Sequence, residues 1–79
     1  MALRVERTID HFIYSREAIA DARQAYREFC NVKITRISSN QAILEIYVSN
    51  TDKNQAREIV LNFLNYALDR AAQLHFGAA

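Results

Sequence analysis

The residues best suited to acid–base chemistry in this chain are two glutamates, Glu6 and Glu45, and the nearby Tyr47. The alternation of polar and apolar residues predicts that Glu6 and Glu45 face the same side of two neighbouring strands, as a catalytic carboxylate pair would. Lys33 and Arg4 are predicted on that side too, and surface ion pairing accounts for these four charges. We therefore predict that the chain has no catalytic residues of its own.

The sequence shows no metal-binding or nucleotide-binding pattern. His11, His75 and the single cysteine, Cys30, stand far apart and match no ligand spacing. Glycine-rich phosphate loops, nucleophile elbows and zinc-protease motifs are absent from the sequence. One cysteine forms no intramolecular disulfide, and we expect Cys30 to be a small apolar filler near the end of a helix. We predict neither a metal nor a cofactor.

Composition limits the class of protein. With 79 residues and 51% hydrophobic content, the chain is expected to form one domain over residues 1–79. The net charge is +1 and the basic residues are dispersed, whereas nucleic-acid-binding proteins usually carry a basic stripe. No apolar run approaches the roughly 20 residues of a membrane span. A lone cysteine and a start without an apolar signal core predict a cytoplasmic protein that binds neither nucleic acid nor membrane.

The first half of the chain predicts a strand and then a helix. Residues 2–9 alternate as a half-buried strand does, although Arg7 falls on the core side and indicates a bulge or an early strand end. Ser15 is a good N-cap for an amphipathic helix from residue 16 to about residue 29. Asn31 is expected to end that helix in the left-handed conformation.

The second half predicts a hairpin and a longer helix. A strand over residues 32–38 and a stronger one over 42–48 flank the dipeptide Ser39–Asn40, which is a plausible two-residue turn. Asp52 and Gln55 have the spacing of a capping box, and an apolar stripe continues from there until Gly77 is expected to stop the helix.

These elements predict an α+β fold, a two-layer β-α-β-β-α sandwich. Its three-stranded sheet has the order 1-3-2, with both helices on one face. The other face then lacks a covering helix, and its exposed residues become candidates for partner binding. We predict a partner-binding surface at the sheet, formed by Ile37, Ile43, Glu45 and Tyr47 on the open face and by Lys33, Thr35 and Arg36 along the second strand. Of the eight aromatic residues, only Tyr47 is expected to meet a partner.

Two segments carry a family resemblance. Segment 14–19 (Tyr-Ser-Arg-Glu-Ala-Ile) and segment 63–70 (Phe-Leu-Asn-Tyr-Ala-Leu-Asp-Arg), together with the hairpin, resemble the small HxsD-type proteins of His-Xaa-Ser peptide-maturation systems. The chain is also similar to short partner proteins of radical-SAM enzymes that modify ribosomal peptides, including spliceases. The resemblance implies a non-catalytic accessory subunit that binds a radical-SAM maturase and/or its precursor peptide. The iron–sulfur cluster and S-adenosylmethionine would then belong to the partner.

Two other interpretations remain open at this point. The chain could be a structural homodimer that buries its open sheet faces against each other. It could also be a small enzyme at a dimer interface, with Glu45 and Tyr47 as acid–base groups. The apolar residues of the open face, with the surplus Leu61 and Tyr66 off the main stripe of the last helix, favour partner binding over chance exposure.

Overall fold

The structure is a computed structural model that describes residues 3–49 and 52–77. It confirms the predicted α+β fold and its element order. The elements are β1 (Leu3–Asp10), α1 (Arg16–Ala25), β2 (Asn31–Arg36), β3 (Gln41–Val48) and α2 (Lys53–Gly77).

The three strands form one antiparallel sheet in the order β1-β3-β2, as predicted. β3 is central, and its Leu44 pairs with Arg7 of β1 and Ile34 of β2. The register of β1 runs without a break from Leu3 to Asp10, so the predicted bulge or early end at Arg7 is wrong. The exposed guanidinium of Arg7 reaches out of the layer and donates to the carbonyl oxygen of Glu6 at 3.1 Å.

Both helices cover the same face of the sheet, and the core lies between the two layers. Alternate residues of β3 point inward because successive side chains of a strand face opposite sides. The fully buried side chains include Leu44 and Ile46 of β3, Ile19 of α1 and Phe63 of α2. Where the two helices meet, the ring of Tyr26 contacts that of Phe63, with centroids 5.9 Å apart.

Capping side chains start both helices where the sequence predicted. Ser15 is the N-cap of α1, and its hydroxyl accepts from the backbone N–H of Ala18 at 3.2 Å. A carboxylate oxygen of Asp52 accepts from the N–H of Gln55 at 2.8 Å. Each bond satisfies one of the donors that a helix leaves unpaired at its first turn.

The predicted end of α1 is wrong. The helix stops at Ala25, four residues early, and Tyr26 is its C-cap. Tyr26 O then accepts from the N–H groups of both Phe29 and Cys30 in a tight turn. Asn31 is therefore not the helix end but the first residue of β2. The apolar spacing of Tyr26 and Phe29 continues the helical pattern, but these side chains pack in the turn, with ring centroids 6.1 Å apart.

The hairpin between β2 and β3 is longer than predicted. β2 ends at Arg36, so four residues, 37–40, connect it to Gln41. The hydroxyl of Ser38 accepts from the N–H groups of Asn40 and Gln41 at 3.3 and 3.2 Å. A serine that bonds backbone N–H groups further along the chain stabilises this wider turn in place of a two-residue one.

Candidate partner-binding surfaces

The open face of the sheet is built from three rows of side chains that point away from the helices. Strand register sets the rows, because paired residues of neighbouring strands project to the same side. The rows are Arg4–Tyr47–Asn31, Glu6–Glu45–Lys33 and Thr8–Ile43–Thr35. The structure thus places Glu6 beside Glu45, and the centre of the face is charged.

An ion-pair network connects the two carboxylates. The guanidinium of Arg4 lies 2.9 Å from a carboxylate oxygen of Glu6 and 3.3 Å from one of Glu45. The hydroxyl of Tyr47 donates to the other oxygen of Glu45 at 2.6 Å. This arrangement neutralises like charges that would otherwise repel each other across the strands.

The network shifts the pKa values of Glu45 and Arg4. The hydrogen bond from Tyr47 is the largest cause that lowers the pKa of Glu45, and the charge of Arg4 adds to it. The same neighbours, Tyr47, Glu6 and Glu45, raise the pKa of Arg4. Each group is therefore held in its charged form, which suits a structural ion pair. A general base at neutral pH needs a pKa near 7 instead.

The apolar residues predicted on this face do not form one continuous patch. Ile43 is half-buried in the row that it shares with Thr8 and Thr35. Ile37 lies next to it in the hairpin, where its N–H donates to Gln41 O at 3.0 Å, and the side chain is half exposed. The charged row of Glu6, Glu45 and Lys33 separates this pair of isoleucines from Tyr47.

The outer edge of β2 offers unpaired backbone groups. The bond from Ile37 N–H to Gln41 O marks a hydrogen-bonded pair, and such pairs alternate along an antiparallel ladder. Thr35 and Lys33 therefore bond β3, whereas the N–H and C=O groups of Val32, Ile34 and Arg36 point outward. Arg36 pairs with buried Ala42 and so lies on the helix side of the edge.

A basic cleft follows this edge on the helix side. Arg23 of α1 and Arg27 of the turn that follows α1 line it opposite Val32 of β2, and it has a volume of about 330 Å³. No carboxylate is among the residues that line this part of the described chain. Lys33 and Arg36 add two more positive charges to the same edge.

The sequence analysis expected only Tyr47 among the aromatic residues to meet a partner, and it missed several exposed apolar side chains. Phe12 is 84% exposed, and Ile13 and Phe29 are more than half exposed. Phe12 and Ile13 occupy the β1–α1 turn, where Asp10 accepts three backbone N–H bonds from residues 12–14. The sequence feature that could have identified this exposed turn is Asp10, a turn-forming residue two positions before Phe12.

Two further candidates for chemistry, Cys30 and His11, lie among the described residues. Cys30 is buried, and burial raises the pKa of its thiol. The Nδ1 atom of His11 lies 3.0 Å from the carbonyl oxygen of Tyr14, across the β1–α1 turn. No cluster of metal-binding side chains occurs in residues 3–49 and 52–77.

Neither described helix is both long enough and apolar enough to cross a membrane. No family model, curated protein or solved structure matches this chain.

Proposed function

We propose that this chain is a non-catalytic, cytoplasmic accessory subunit that binds a radical-SAM peptide-modifying enzyme and holds the enzyme's precursor peptide along the edge of β2. The observation that carries the proposal is the β2 edge, where outward backbone groups lie beside a basic cleft. An extended peptide can add to such an edge through main-chain hydrogen bonds, while pockets beside the edge select its side chains.

Charge determines which peptide suits this edge. Arg23 and Arg27 line the cleft beside Val32, and Lys33 and Arg36 precede and follow Ile34 and Thr35 along the same strand. An acidic segment would pair with these side chains as its backbone extends the sheet. Long-range attraction between opposite charges would also speed the encounter. The peptide class that fits best is an acidic leader segment in an extended conformation.

The resemblance of segments 14–19 and 63–70 to HxsD-type proteins supports the identity of the enzyme partner. Such an enzyme carries its own iron–sulfur cluster and S-adenosylmethionine, so the accessory chain needs to supply only contacts. Phe12 and Ile13 provide an apolar contact on a turn that backbone bonds already hold in place. Ordered aromatic side chains often contribute much of the energy of an interface.

The geometry favours binding over the two alternative functions. The hydrogen bond from Tyr47 and the charge of Arg4 lower the pKa of Glu45, which would make Glu45 a weak general base. A homodimer through the open face would have to desolvate Glu6, Glu45 and Lys33, and burying such charges opposes association unless each finds a new partner.

The proposal can be tested by identifying a radical-SAM enzyme and a short precursor peptide among the products of neighbouring genes and co-expressing both with the chain. We expect all three to co-purify, and the isolated chain to modify no peptide. The double variant Arg23→Glu/Arg27→Glu should lose the fluorescently labelled precursor but still bind the enzyme. The control Lys53→Glu changes an exposed basic residue of α2 outside the β2 cleft and should bind the precursor normally.

Three outcomes would contradict the proposal. Neighbouring genes that encode neither a radical-SAM enzyme nor a short precursor would remove the assigned partners. A charge-reversed double variant that binds the precursor as well as the natural chain does would exclude the β2 cleft. Peptide modification by the isolated chain would show that it is an enzyme.

A further inference from the structure

The helix layer of this domain is wider than its sheet. Strands lie about 4.8 Å apart, so three strands span about 14 Å including their own width. Two packed helices span about 20 Å, since their axes lie 8–10 Å apart. α1 lies along β2, where its Arg23 and Arg27 of the following turn line a cleft with Val32. We therefore place the excess width on the β1 side, where Leu61 of α2 lines a cleft with Leu3 and Val5.

The overhanging side of α2 is apolar. Leu61 is 59% exposed and Leu68 is 42% exposed, although burial of a leucine side chain stabilises a protein. Leu64 lies between them on the same side of the helix and is half-buried. Spacings of three, four and seven residues bring these leucines onto one stripe, separate from the face that buries Phe63.

The stripe lies beside an unpaired strand edge. Leu61 and Val60 line a cleft of about 450 Å³ together with Leu3 and Val5 of β1. Among residues 3–49 and 52–77, no strand pairs with the outer side of β1. The N–H of His11 donates to Asn40 O, which marks a hydrogen-bonded pair one step beyond Asp10 and Gln41. By alternation, the backbone groups of Arg4, Glu6 and Thr8 point outward.

The order of the elements also indicates an open position beside β1. A β-α-β-β-α chain is the six-element β-α-β-β-α-β arrangement without its last strand. A strand that followed α2 would return to the sheet beside β1, antiparallel to it. The position is therefore the one that a fourth strand would occupy beneath the leucine stripe.

We propose that the outer edge of β1 accepts an extended strand from a protein partner, which becomes the fourth strand of the sheet. Its alternate side chains are apolar and contact Leu61, Leu64 and Leu68. Arg7 and Arg57 border the same cleft and have no carboxylate partner among the described residues. We therefore expect the partner strand to carry an acidic residue at this cleft, where it would pair with these arginines. The inference rests on the proposed function in one respect, the assignment of this partner as the enzyme.

A second copy of the chain fits this position less well. Its own β1 would bring a second overhanging α2 to the same side, and the two helices would compete for the space above the joined strands. In the free chain, Arg7 bonds the outward carbonyl of Glu6, which blunts the edge against self-association. A partner strand without an attached helix layer avoids the first obstacle, and its acidic residue at the cleft would draw Arg7 away from the carbonyl oxygen of Glu6.

The test supplies a strand and needs no enzyme, so its result is independent of the proposed function. A flexible linker after Ala79 carries a seven-residue strand with valine at alternate positions and threonine or glutamate between them. Tethering raises the effective concentration into the millimolar range. We expect the melting midpoint to rise by about 4–8 °C. Amide exchange at Arg4, Glu6 and Thr8 should slow by about tenfold.

Two controls make the result specific. A tethered strand of the same composition with its valines in one block should not raise the melting midpoint, because it cannot present one apolar face. Leu61→Glu should abolish the rise, whereas Ile13→Glu, which changes an equally exposed residue outside the cleft, should retain it. Equal effects of the two strands, an unchanged midpoint, or protection of Val32 and Ile34 instead of β1 would overturn the inference.

Discussion

The hydroxyl of Tyr47 lies 2.6 Å from a carboxylate oxygen of Glu45, two residues earlier on the same strand. Residues two apart on a strand share a face, so this bond needs no other element to bring the groups together. It is the largest cause of the lowered pKa of Glu45.

Tyr47→Phe should raise the pKa of Glu45 toward the usual glutamate range, because it removes a donor to the charged form. A group whose folded pKa is lowered contributes stability above its unfolded pKa and loses it as the pH falls through the folded value. The natural chain should therefore lose more stability under acid than the variant does. Carboxyl NMR titration measures the pKa directly, with Tyr66→Phe on the helix side as the control. An unchanged Glu45 titration would contradict the role of the bond.

Core substitutions should distinguish a fully buried side chain of β3 from a half-buried one of α2. Ile46 is fully buried, and Ile46→Ala should cost about 2–5 kcal/mol of unfolding free energy. Small domains have about 5–15 kcal/mol in total, so this variant should be close to unfolding. Leu64 is half-buried, and Leu64→Ala should cost less in urea denaturation. Equal costs would show that Leu64 is as central as Ile46.

Proline substitutions should distinguish the two sides of β2. The N–H of Thr35 bonds β3, so Thr35→Pro should break the ladder and lower the melting midpoint by more than about 4–8 °C. The N–H of Arg36 points outward, and Arg36→Pro should fold but weaken the addition of a peptide strand. Circular dichroism and peptide anisotropy measure the two effects. A stable Thr35→Pro variant would show that the hydrogen-bonding register has been misassigned.

The exposed turn after β1 should tolerate substitution of its apolar residue but not of its carboxylate. Phe12→Ser should change the unfolding free energy by less than about 0.5 kcal/mol, because the side chain is exposed, while weakening association with the enzyme. Asp10→Ala removes the acceptor of the Phe12 N–H, 2.8 Å away, and should destabilise the turn. Enzyme binding that is unaffected by Phe12→Ser would exclude this turn as an interface.

The thiol of Cys30 should react slowly. It is buried, and its pKa is raised, so little thiolate reaches solvent at neutral pH. Iodoacetamide should modify the folded chain much more slowly than the chain in denaturant, as mass spectrometry can follow. Cys30→Ala should leave the enzyme complex intact. Rapid labelling of the folded chain would indicate a reactive cysteine.

Much of the fold could be predicted from local patterns. The inward face of β3, the caps Ser15 and Asp52, and the sheet order each follow from residue spacing or from the fit of one-sided elements. The end of α1 could not be predicted in this way. The spacing of Tyr26 and Phe29 suits either a helix or a turn, and only the packing of Tyr26 against Phe63 and Tyr66 of α2 decided between them.

The candidate surfaces likewise depend partly on local sequence and partly on tertiary structure. The sequence alone determined which residues of β2 and β3 share the open face, because a strand alternates its side chains whatever surrounds it. Tertiary structure decided which backbone groups point outward, that Arg23 and Arg27 line the β2 edge, and that Leu61 lies beside β1. These relations join residues from different elements. They depend on hydrogen-bonding register and on the unequal widths of helices and strands, which no single segment encodes.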